Sequence, residues 1–460
     1  RLAVRERVRL ARLVETGAEP RLLLALHDHR ARGALERVGV DLEEAVLVLA
    51  EREGERVERV VRTEPHEAAA ARIERGAERV LPALAHDAPQ AVGAHERLDF
   101  WAVTRYADII TVSRDAATYS SERHGVLLGD TGGVGTELLM INQDPPRHTR
   151  LRNLVARLFT PKYIRELRPS LQASANAIAD RAIAMGEFDF VTEVAAELPL
   201  IVIADLIGIP QSDRHKVFEW SNRMIGREDP EYGVSEADAG AESLAAATEL
   251  FAYAAELGAE RLAAPQDDII TKLLHAEVDG EKLTHDEFIF FFLLLAVAGN
   301  ETTRNLMSGG MVALGDHSDQ YALLNSDRER YLDGAVEEML RYVSPVISFR
   351  RTATRDVELH GAQIREGDDV VIFYGSGNRD EAVYADPDRF DITRSPNDHL
   401  AFGGRGPHHC LGANLAREEI RIMFDTLFSK ADIEIIGPPQ RLWSNLISGI
   451  KHLPVRAVPR

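Results

Sequence analysis

Apolar residues recur every three or four positions over long stretches of this chain, which is the period of an amphipathic helix. Strand-like alternation is confined to short segments, of which the clearest are 100–106, 356–361 and 369–374. The pattern therefore predicts a mainly α protein with a small β region. The longest helical patterns run from Pro161 to Met185, Ala239 to Leu262, His285 to Gly315 and Arg328 to Tyr342.

The most apolar run, FIFFFLLLAVA at 288–298, is well short of the ~20 residues that span a bilayer. It is therefore predicted to be a buried helix. No basic-then-apolar leader precedes the first helical patterns. We expect a cytoplasmic protein without a transmembrane segment.

The residue composition changes near residue 100. Residues 1–99 contain no Phe, Tyr, Trp, Lys, Ser, Asn, Met or Cys and are dominated by Arg, Ala, Glu, Leu and Val. Segments such as EREGERVERVVRTE suit charged helices better than strands. We expect an atypical helical N-terminal region over 1–99, which is either a helical extension or a translation artefact of a GC-rich gene, and a main domain over 100–460.

Composition and charge exclude several classes of function. With 460 residues, of which 45% are hydrophobic, the chain is able to bury a large core. A formal net charge of −20 argues against a nucleic-acid partner, since phosphate binding needs clustered Lys and Arg. The single cysteine, Cys410, excludes an internal disulfide and any all-cysteine metal site within one chain.

One segment combines that cysteine with an unusual density of glycine. It reads FGGRGPHHCLG from Phe402 to Gly412 and is followed by a helical pattern, ANLAREEIRIMFDTLF. The turn would deliver the Cys410 thiol to a helix N-terminus, where unpaired backbone N–H groups and the helix dipole favour a thiolate. The arrangement therefore favours an anionic sulfur ligand for a metal.

Other interpretations of Cys410 are weaker. A lone cysteine is usually a small buried hydrophobe. A cysteine nucleophile assisted by His408 or His409 is a functional alternative, but three adjacent residues on a tight turn point in different directions. Zinc held by the same three residues has the same difficulty and lacks a fourth ligand.

The predicted helix that starts near His285 changes from apolar to polar at Ala298–Thr303 (AGNETT). A glycine in mid-helix costs ~1 kcal/mol relative to alanine, and an acid and hydroxyls in an apolar stretch need partners or water. The segment therefore indicates a ligand site. The alternative is a helix that emerges into solvent at Asn300.

Asp144-Pro145-Pro146 predicts a helix start, with Asp144 as N-cap and proline in the first turn. His148 and Arg152 follow on one helix face and are suited to holding an anion. An ordinary solvated basic face is the alternative.

Glu338 and Arg341 lie three apart on one face of another predicted helix. Such a pair is weak when it is exposed to solvent. Alone, it indicates no function.

In order and spacing, these features resemble those of the cytochromes P450 from about Phe100 to the C-terminus. The Cys410 segment is similar to the haem-binding loop, although it is one residue longer than the commonest pattern, and Ala298–Thr303 is similar to the oxygen-activation motif. The resemblance implies the cytochrome P450 fold, mainly α with a small β subdomain, and a haem-dependent monooxygenase.

The resemblance extends to a structural network. Glu338 and Arg341 are similar to the Glu-x-x-Arg pair of the family, and the segment DPDRF at 386–390 to the one whose arginine, Arg389, completes that pair. A buried network of this kind would support folding and haem retention without touching substrate.

The resemblance also implies a set of site residues. Cys410 would be the thiolate axial ligand of haem b (iron protoporphyrin IX). Thr302 would hydrogen-bond dioxygen, and Glu301 would help to deliver protons. The remaining haem contacts that it implies are His148, Arg152, Ala298, Gly299, Arg351 and His408.

Several stretches, including VAGNETTRN and GPHHCLGANLAR, are most similar to actinobacterial members that oxidise sterol side chains and methyl-branched lipids. This implies hydroxylation, with dioxygen, at a terminal carbon of a hydrophobic small molecule such as a steroid, a terpenoid or a methyl-branched lipid. No flavin- or ferredoxin-like domain fits in the chain, so a separate ferredoxin or flavodoxin with its NAD(P)H-dependent reductase is expected to supply electrons. The rivals are a haem protein that binds or senses ligands without turnover and a haem-free thiol hydrolase.

Overall fold

Helices dominate the part of the chain that the computed structural model describes, which is 100–460 without 129–135, 226–228, 230, 232–238 and 278–279. The region expected over 1–99 lies outside these described residues. Short 3-10 helices span Thr136–Leu138, Met140–Asn142 and Ala156–Phe159, and a π-helical turn spans Val191–Ala195. The α-helices are α1 (Tyr106–Arg114), α2 (Arg147–Val155), α3 (Pro161–Met185), α4 (Glu197–Ile207), α5 (Arg214–Ile225), α6 (Ala239–Ala263), α7 (Ile269–Leu274), α8 (His285–Asp316), α9 (Ser318–Ser326), α10 (Arg328–Val343), α11 (Tyr374–Gly377) and α12 (Ala413–Lys430).

The strands are short and form small sheets. They are β1 (Phe100–Val103), β2 (Tyr119–Ser120), β3 (Glu187–Asp189), β4 (Ser348–Ala353), β5 (Val357–Leu359), β6 (Ala362–Ile364), β7 (Asp369–Phe373), β8 (Ala431–Ile435), β9 (Gln440–Arg441), β10 (Ile450–His452) and β11 (Pro454–Pro459). The largest described sheet has the order β1-β7-β4-β2, with β1 parallel to β7 and the other pairs antiparallel. A second sheet has the order β3-β11-β8.

The predicted fold class is confirmed, and the four long helical patterns end within one residue of the observed helices. The expectation of one strand over 100–106 is wrong beyond Val103, because α1 begins at Tyr106. The backbone N–H of Tyr106 donates to the Asp380 carboxylate at 2.9 Å, a contact across 274 residues that no local pattern shows.

The central helix α8 crosses the core and packs against α4, α6, α10 and α12. Its start is fixed by a complete capping box, in which Thr284 and Glu287 each accept the other's backbone N–H. Asn300 is fully buried. The alternative of a helix that emerges into solvent there is therefore wrong, and Glu301 and Thr303 also lie inside the protein.

A buried ion pair joins α10 to the segment before α12. The guanidinium of Arg341 makes bonds of 2.8 and 2.7 Å to the Glu338 carboxylate, and both side chains are fully buried. Arg394 and Asn397 also donate to Glu338, at 3.3 and 3.0 Å. The expectation that Arg389 completes the pair is wrong: its backbone carbonyl accepts from Arg341, and Arg394 supplies the second guanidinium.

The same network reaches the glycine-rich loop. Arg341 donates to the backbone carbonyl of Asn378 at 2.8 Å, and the side-chain oxygen of Asn378 accepts the N–H of Leu400 at 2.6 Å. Leu400 in turn accepts the backbone N–H of Gly403. The start of the loop that carries Cys410 is therefore held in place by a buried charge pair.

Replacing Glu338 by glutamine should destabilise the protein by about 3–5 kcal/mol, because Arg341 and Arg394 would then be buried without an anion. Urea-induced unfolding of the purified variant measures this loss. The control is Glu329→Gln, an exposed position on the same helix, which should stay within about 0.5 kcal/mol of the wild type. Equal stability of the two variants would contradict the role of the network.

Candidate active site

A cavity that we call the thiol cavity opens onto Cys410. Its volume is about 250 Å³, and most of its lining side chains are apolar. Small-molecule sites are commonly concave and lined mainly by apolar side chains, so this lining suits an apolar group. Helix α8 provides one wall, from Phe291 to Leu306, and α12 with the preceding loop provides another.

The glycine-rich loop brings Cys410 to this cavity. The backbone N–H of Cys410 donates to Phe402 at 2.9 Å and closes the loop, and α12 begins three residues later, at Ala413. A side chain at Gly406 would lie 1.7 Å from the carbonyl oxygen of Ser113. Glycine is therefore required because the loop packs directly on the backbone of α1.

Opposing effects act on the Cys410 thiol. Burial raises its pKa, whereas the backbone N–H of Gly412 and the positive charges of Arg152 and Arg417 lower it. The sulfur is enclosed by protein, yet it is accessible from the thiol cavity. A bound metal would displace the thiol proton, and the helix end and the two arginines would then stabilise the thiolate.

Four side chains form a donor cluster beside this cavity: His148, Arg152, Arg351 and His408. The rings of His148 and His408 pack with centroids 4.2 Å apart. Arg152 donates to the backbone carbonyl of His409 at 2.6 Å, so it is fixed against the cysteine loop. His148, Arg152 and His408 line the cavity, whereas Arg351 lies behind them on β4.

The donor cluster has buried positive charge, on which the carboxylate of Asp144 acts electrostatically. Neither Arg152 nor Arg351 forms an ion pair with a carboxylate of the described residues, and burial lowers the pKa of both. Burial and the neighbouring arginines also lower the pKa of His148 to about 4 and that of His408 to about 2. Nδ1 of His148 is buried and has no partner among the described residues. This arrangement suits a bound anion.

Asp144 supports the cluster in a way that the sequence did not indicate. The expectation that it caps α2 is wrong, because the N-cap residue is Pro146. The carboxylate of Asp144 accepts instead from the hydroxyl of Ser120 and, at 2.8 Å, from the N–H of Ser121. The Ser121 hydroxyl then lies 3.2 Å from Nε2 of His408.

On α8, Thr302 faces the thiol cavity together with Ala298 and Gly299. Its hydroxyl donates to the backbone carbonyl of Ala298 at 2.8 Å. The hydroxyl oxygen therefore keeps lone pairs to accept a hydrogen bond from a molecule in the cavity.

Glu301 turns away from the thiol cavity and does not line it. Its buried carboxylate forms an ion pair with Arg304, which in turn donates to Asn222 of α5 at 3.0 Å. Burial raises the pKa of Glu301, and Arg304 opposes that shift. The structure therefore brings Thr302 to the site but not Glu301.

The geometry does not favour the alternatives to a thiolate ligand. His408 is engaged with Ser121 and packed on His148, so it is not arranged as the base of a cysteine nucleophile. No three His, Cys, Asp or Glu side chains of the described residues are grouped to hold a metal ion, which argues against zinc on His408, His409 and Cys410.

Comparison with known proteins decides the family. The steroid C26-monooxygenase of Mycobacterium tuberculosis is 45% identical over 360 residues, which are 77% of this chain and 81% of that protein. The chain belongs to the cytochrome P450 family. The family profile named cytochrome P450 matches residues 245–441. The methyl-branched lipid omega-hydroxylase of M. tuberculosis is 42% identical to this P450 over 360 residues, 77% of this chain and 83% of that one.

A solved structure agrees with the assignment. A Mycobacterium marinum cytochrome P450 in complex with pseudoionone is 40% identical to this P450, with a TM-score of 0.74. The match covers 84% of this chain and 95% of that chain. No helix among the residues that our structure describes is both long and apolar enough to cross a membrane.

The residues of this P450 fit the haem that the family implies. The thiol cavity offers one accessible sulfur, Cys410, and apolar walls for a macrocycle. The donor cluster has buried positive charge and an unpartnered His148 nitrogen, which suit the two carboxylates of such a group. The fit is one of charge and shape, and it follows from the protein side chains alone.

Other lining residues were not indicated by sequence reasoning. Ile203 reaches the thiol cavity from α4, and Phe159 reaches it from a 3-10 helix. Both belong to ordinary apolar patterns. Such a pattern predicts that a side chain is buried, but it does not predict which cavity the side chain lines. Glu419 also lines the cavity, and its spacing from Leu415 and Ala416 on one helix face is a signal that was available.

Gly299→Ala should create a steric conflict, because the new Cβ would lie 2.7 Å from Cδ1 of Ile203. We expect the alanine to cost about 1 kcal/mol less in an Ile203→Val background, since that change removes the opposing methyl group. Urea unfolding of the double-mutant cycle measures the coupling. Gly375→Ala, whose Cβ would meet nothing closer than 3.8 Å, should be additive with Ile203→Val. Additivity at Gly299 as well would contradict the proposed contact.

Proposed function

We propose that this cytochrome P450 monooxygenase hydroxylates the terminal carbon of a branched apolar side chain, such as that of a steroid or a methyl-branched lipid. The observation that carries the proposal is the thiol cavity itself, in which Cys410 and Thr302 lie among largely apolar walls. Such walls bind a hydrophobic molecule by excluding water. They offer few polar groups that could bind a polar end of the molecule.

The position of oxidation is inferred from the relatives. One group of them is named for steroid C26 and the other for the omega position of methyl-branched lipids. Both names specify a defined carbon of an apolar molecule. We infer that this chain shares that selectivity, because it is similar in sequence to each of them over 77% of its length.

We propose that Cys410 ligates haem iron and that the donor cluster of His148, Arg152, Arg351 and His408 holds the two haem carboxylates. Bound haem would supply the activation of dioxygen and the acceptance of electrons. The N–H of Gly412 and the charges of Arg152 and Arg417 would hold the sulfur as an anion. Where α8 passes the cavity, Ala298 has a small side chain and Gly299 has none.

Thr302 would act as the hydroxyl that accepts and passes on a hydrogen bond in the cavity, since its own proton is directed to Ala298 at rest. The proton delivery that the family resemblance implies for Glu301 requires its carboxylate to leave Arg304. That role therefore remains a prediction. We infer that the electrons come from a separate reduced ferredoxin or flavodoxin with an NAD(P)H-dependent reductase.

The test is spectroscopic and then chemical. The reduced, carbon-monoxide-treated protein should give the red-shifted band of a thiolate-ligated haem, and Cys410→Ala should lose it. With a matched reductase system, a sterol with an intact branched side chain should give a product oxidised at the terminal carbon, identified by mass spectrometry. Testosterone, which has no such side chain, is the control substrate. A colourless protein, or oxidation of the ring system alone, would overturn the proposal.

Replacing Thr302 by valine should keep haem and substrate binding but divert electrons to hydrogen peroxide, because valine keeps the shape and removes the hydroxyl. We expect the yield of product per reduced nicotinamide to fall ~10-fold or more, as for loss of a positioned proton-transfer group. Thr302→Ser retains the hydroxyl and is the control. Unchanged yield in Thr302→Val would remove Thr302 from this role.

A further inference from the structure

Glu337 of α10 is a carboxylate beside the cysteine loop to which the proposed mechanism gives no role. Its two carboxylate oxygens accept hydrogen bonds of 2.6 and 2.9 Å from the guanidinium of Arg417 on α12. The same guanidinium lies over the Phe402 ring, 4.5 Å from its centroid. The carbonyl oxygen of Phe402 accepts the N–H of Cys410 at 2.9 Å. One aromatic residue therefore connects this ion pair to the proposed metal ligand.

A buried histidine holds the other side of the Glu337 carboxylate. Nδ1 of His399 accepts the backbone N–H of Ala401 at 3.2 Å, so the proton of the neutral ring is on Nε2. Nε2 lies 3.0 Å from the carboxylate and donates to it. Only 2% of the His399 side chain is exposed. Glu337 is therefore fixed between a buried N–H donor and a guanidinium.

These contacts keep Glu337 ionised. Burial raises its pKa, but the hydrogen bonds from His399 and Arg417, together with their charges, outweigh burial and lower the pKa to about 2. Arg417 in turn lowers the pKa of the Cys410 thiol. The field of a guanidinium in contact with a carboxylate falls off faster than that of a lone charge, because the two opposite charges largely cancel at a distance. Glu337 therefore limits the positive field that Arg417 exerts on the sulfur.

A second ion pair joins the same two helices farther from the sulfur. Asp333 lies one turn before Glu337 on α10, and it pairs with Arg421 at 3.0 Å. Arg421 lies four residues beyond Arg417 on α12, which is ~6 Å farther along the helix from its start. The Asp333 side chain is 81% exposed. This pair has the same chemistry and joins the same helices, but it is more distant from Cys410 and better screened by solvent.

We propose that Glu337 sets how readily iron held by Cys410 accepts an electron, because it balances the charge of Arg417. Reduction transfers one electron from the separate redox protein to ferric iron, which becomes ferrous, and no bond to a protein atom forms or breaks. Positive charge near the site favours the added electron, so Arg417 raises the reduction potential and Glu337 lowers it. Glu337 acts through Arg417 and is a positioning residue. This inference rests on the proposed function.

The test is a potentiometric titration of the haem-loaded protein with dithionite and mediators, without a redox partner. Glu337→Gln removes the charge but keeps an oxygen that accepts from Arg417, which also stays packed on Phe402. We expect the equilibrium constant for one-electron reduction to rise ~3-fold or more, a positive shift of about 30 mV. Arg417→Gln should shift the potential in the negative direction. Glu337→Asp keeps the charge and should stay close to the wild type.

Asp333→Asn is the control, since it removes a carboxylate and breaks an ion pair between the same two helices. Its potential should equal that of the wild type. A purely structural role for the Glu337 pair would shift Glu337→Gln and Arg417→Gln in the same direction, and that result would overturn the inference.

An unchanged potential in Glu337→Gln, or an equal shift in Asp333→Asn, would also overturn the inference and leave the monooxygenase assignment intact. The reduced carbon-monoxide spectrum is recorded for every variant, so thiolate ligation is measured separately from the potential. A wild-type protein without the thiolate band would instead overturn the proposed function.

Discussion

The rest of the site depends on one constraint, which is that a single sulfur be held as an anion inside the protein. Burial opposes this charge, because it raises the pKa of the Cys410 thiol. The N–H of Gly412 and the charges of Arg152 and Arg417 act in the other direction. The groups that lower the pKa lie in the loop, at the start of α12 and near the end of α2. A metal ion that takes the place of the thiol proton would favour the thiolate.

Buried charged residues of the scaffold hold the cysteine loop in position. Glu338 and Arg341 are costly to bury, and they are stable only because Arg394, Asn397 and backbone carbonyls satisfy them. Through Asn378 and Leu400 the network fixes the start of the loop. The ion pair of Arg417 with Glu337 and its position over the Phe402 ring, 4.5 Å away, fix the other side. The thiol therefore cannot move independently of the α10 to α12 region.

Some polar side chains near the thiol cavity point into it, and others point away from it. Thr302 and Glu419 face the cavity, whereas Glu301 is turned toward Arg304 and α5. The one-residue step from Glu301 to Thr302 is about 100° around a helix, which is enough to put an acid on one side and a hydroxyl on the other. Positive charge is concentrated where the donor cluster meets the thiol cavity. Most of the other side chains that line this cavity are apolar.

The sequence by itself determined the helical architecture, the cysteine turn at a helix start and the pairing of His148 with Arg152, because these depend on local period and on contacts a few residues apart. It also placed Glu338 with Arg341, three residues apart. Tertiary structure decided what distant segments do to each residue: it gave Arg394 rather than Arg389 to Glu338, turned Asp144 from a helix cap to Ser120 and Ser121, and withdrew Glu301 into an ion pair. The reason is physical, since the state of a buried polar group is set by the partners around it, and those partners lie far away along the chain.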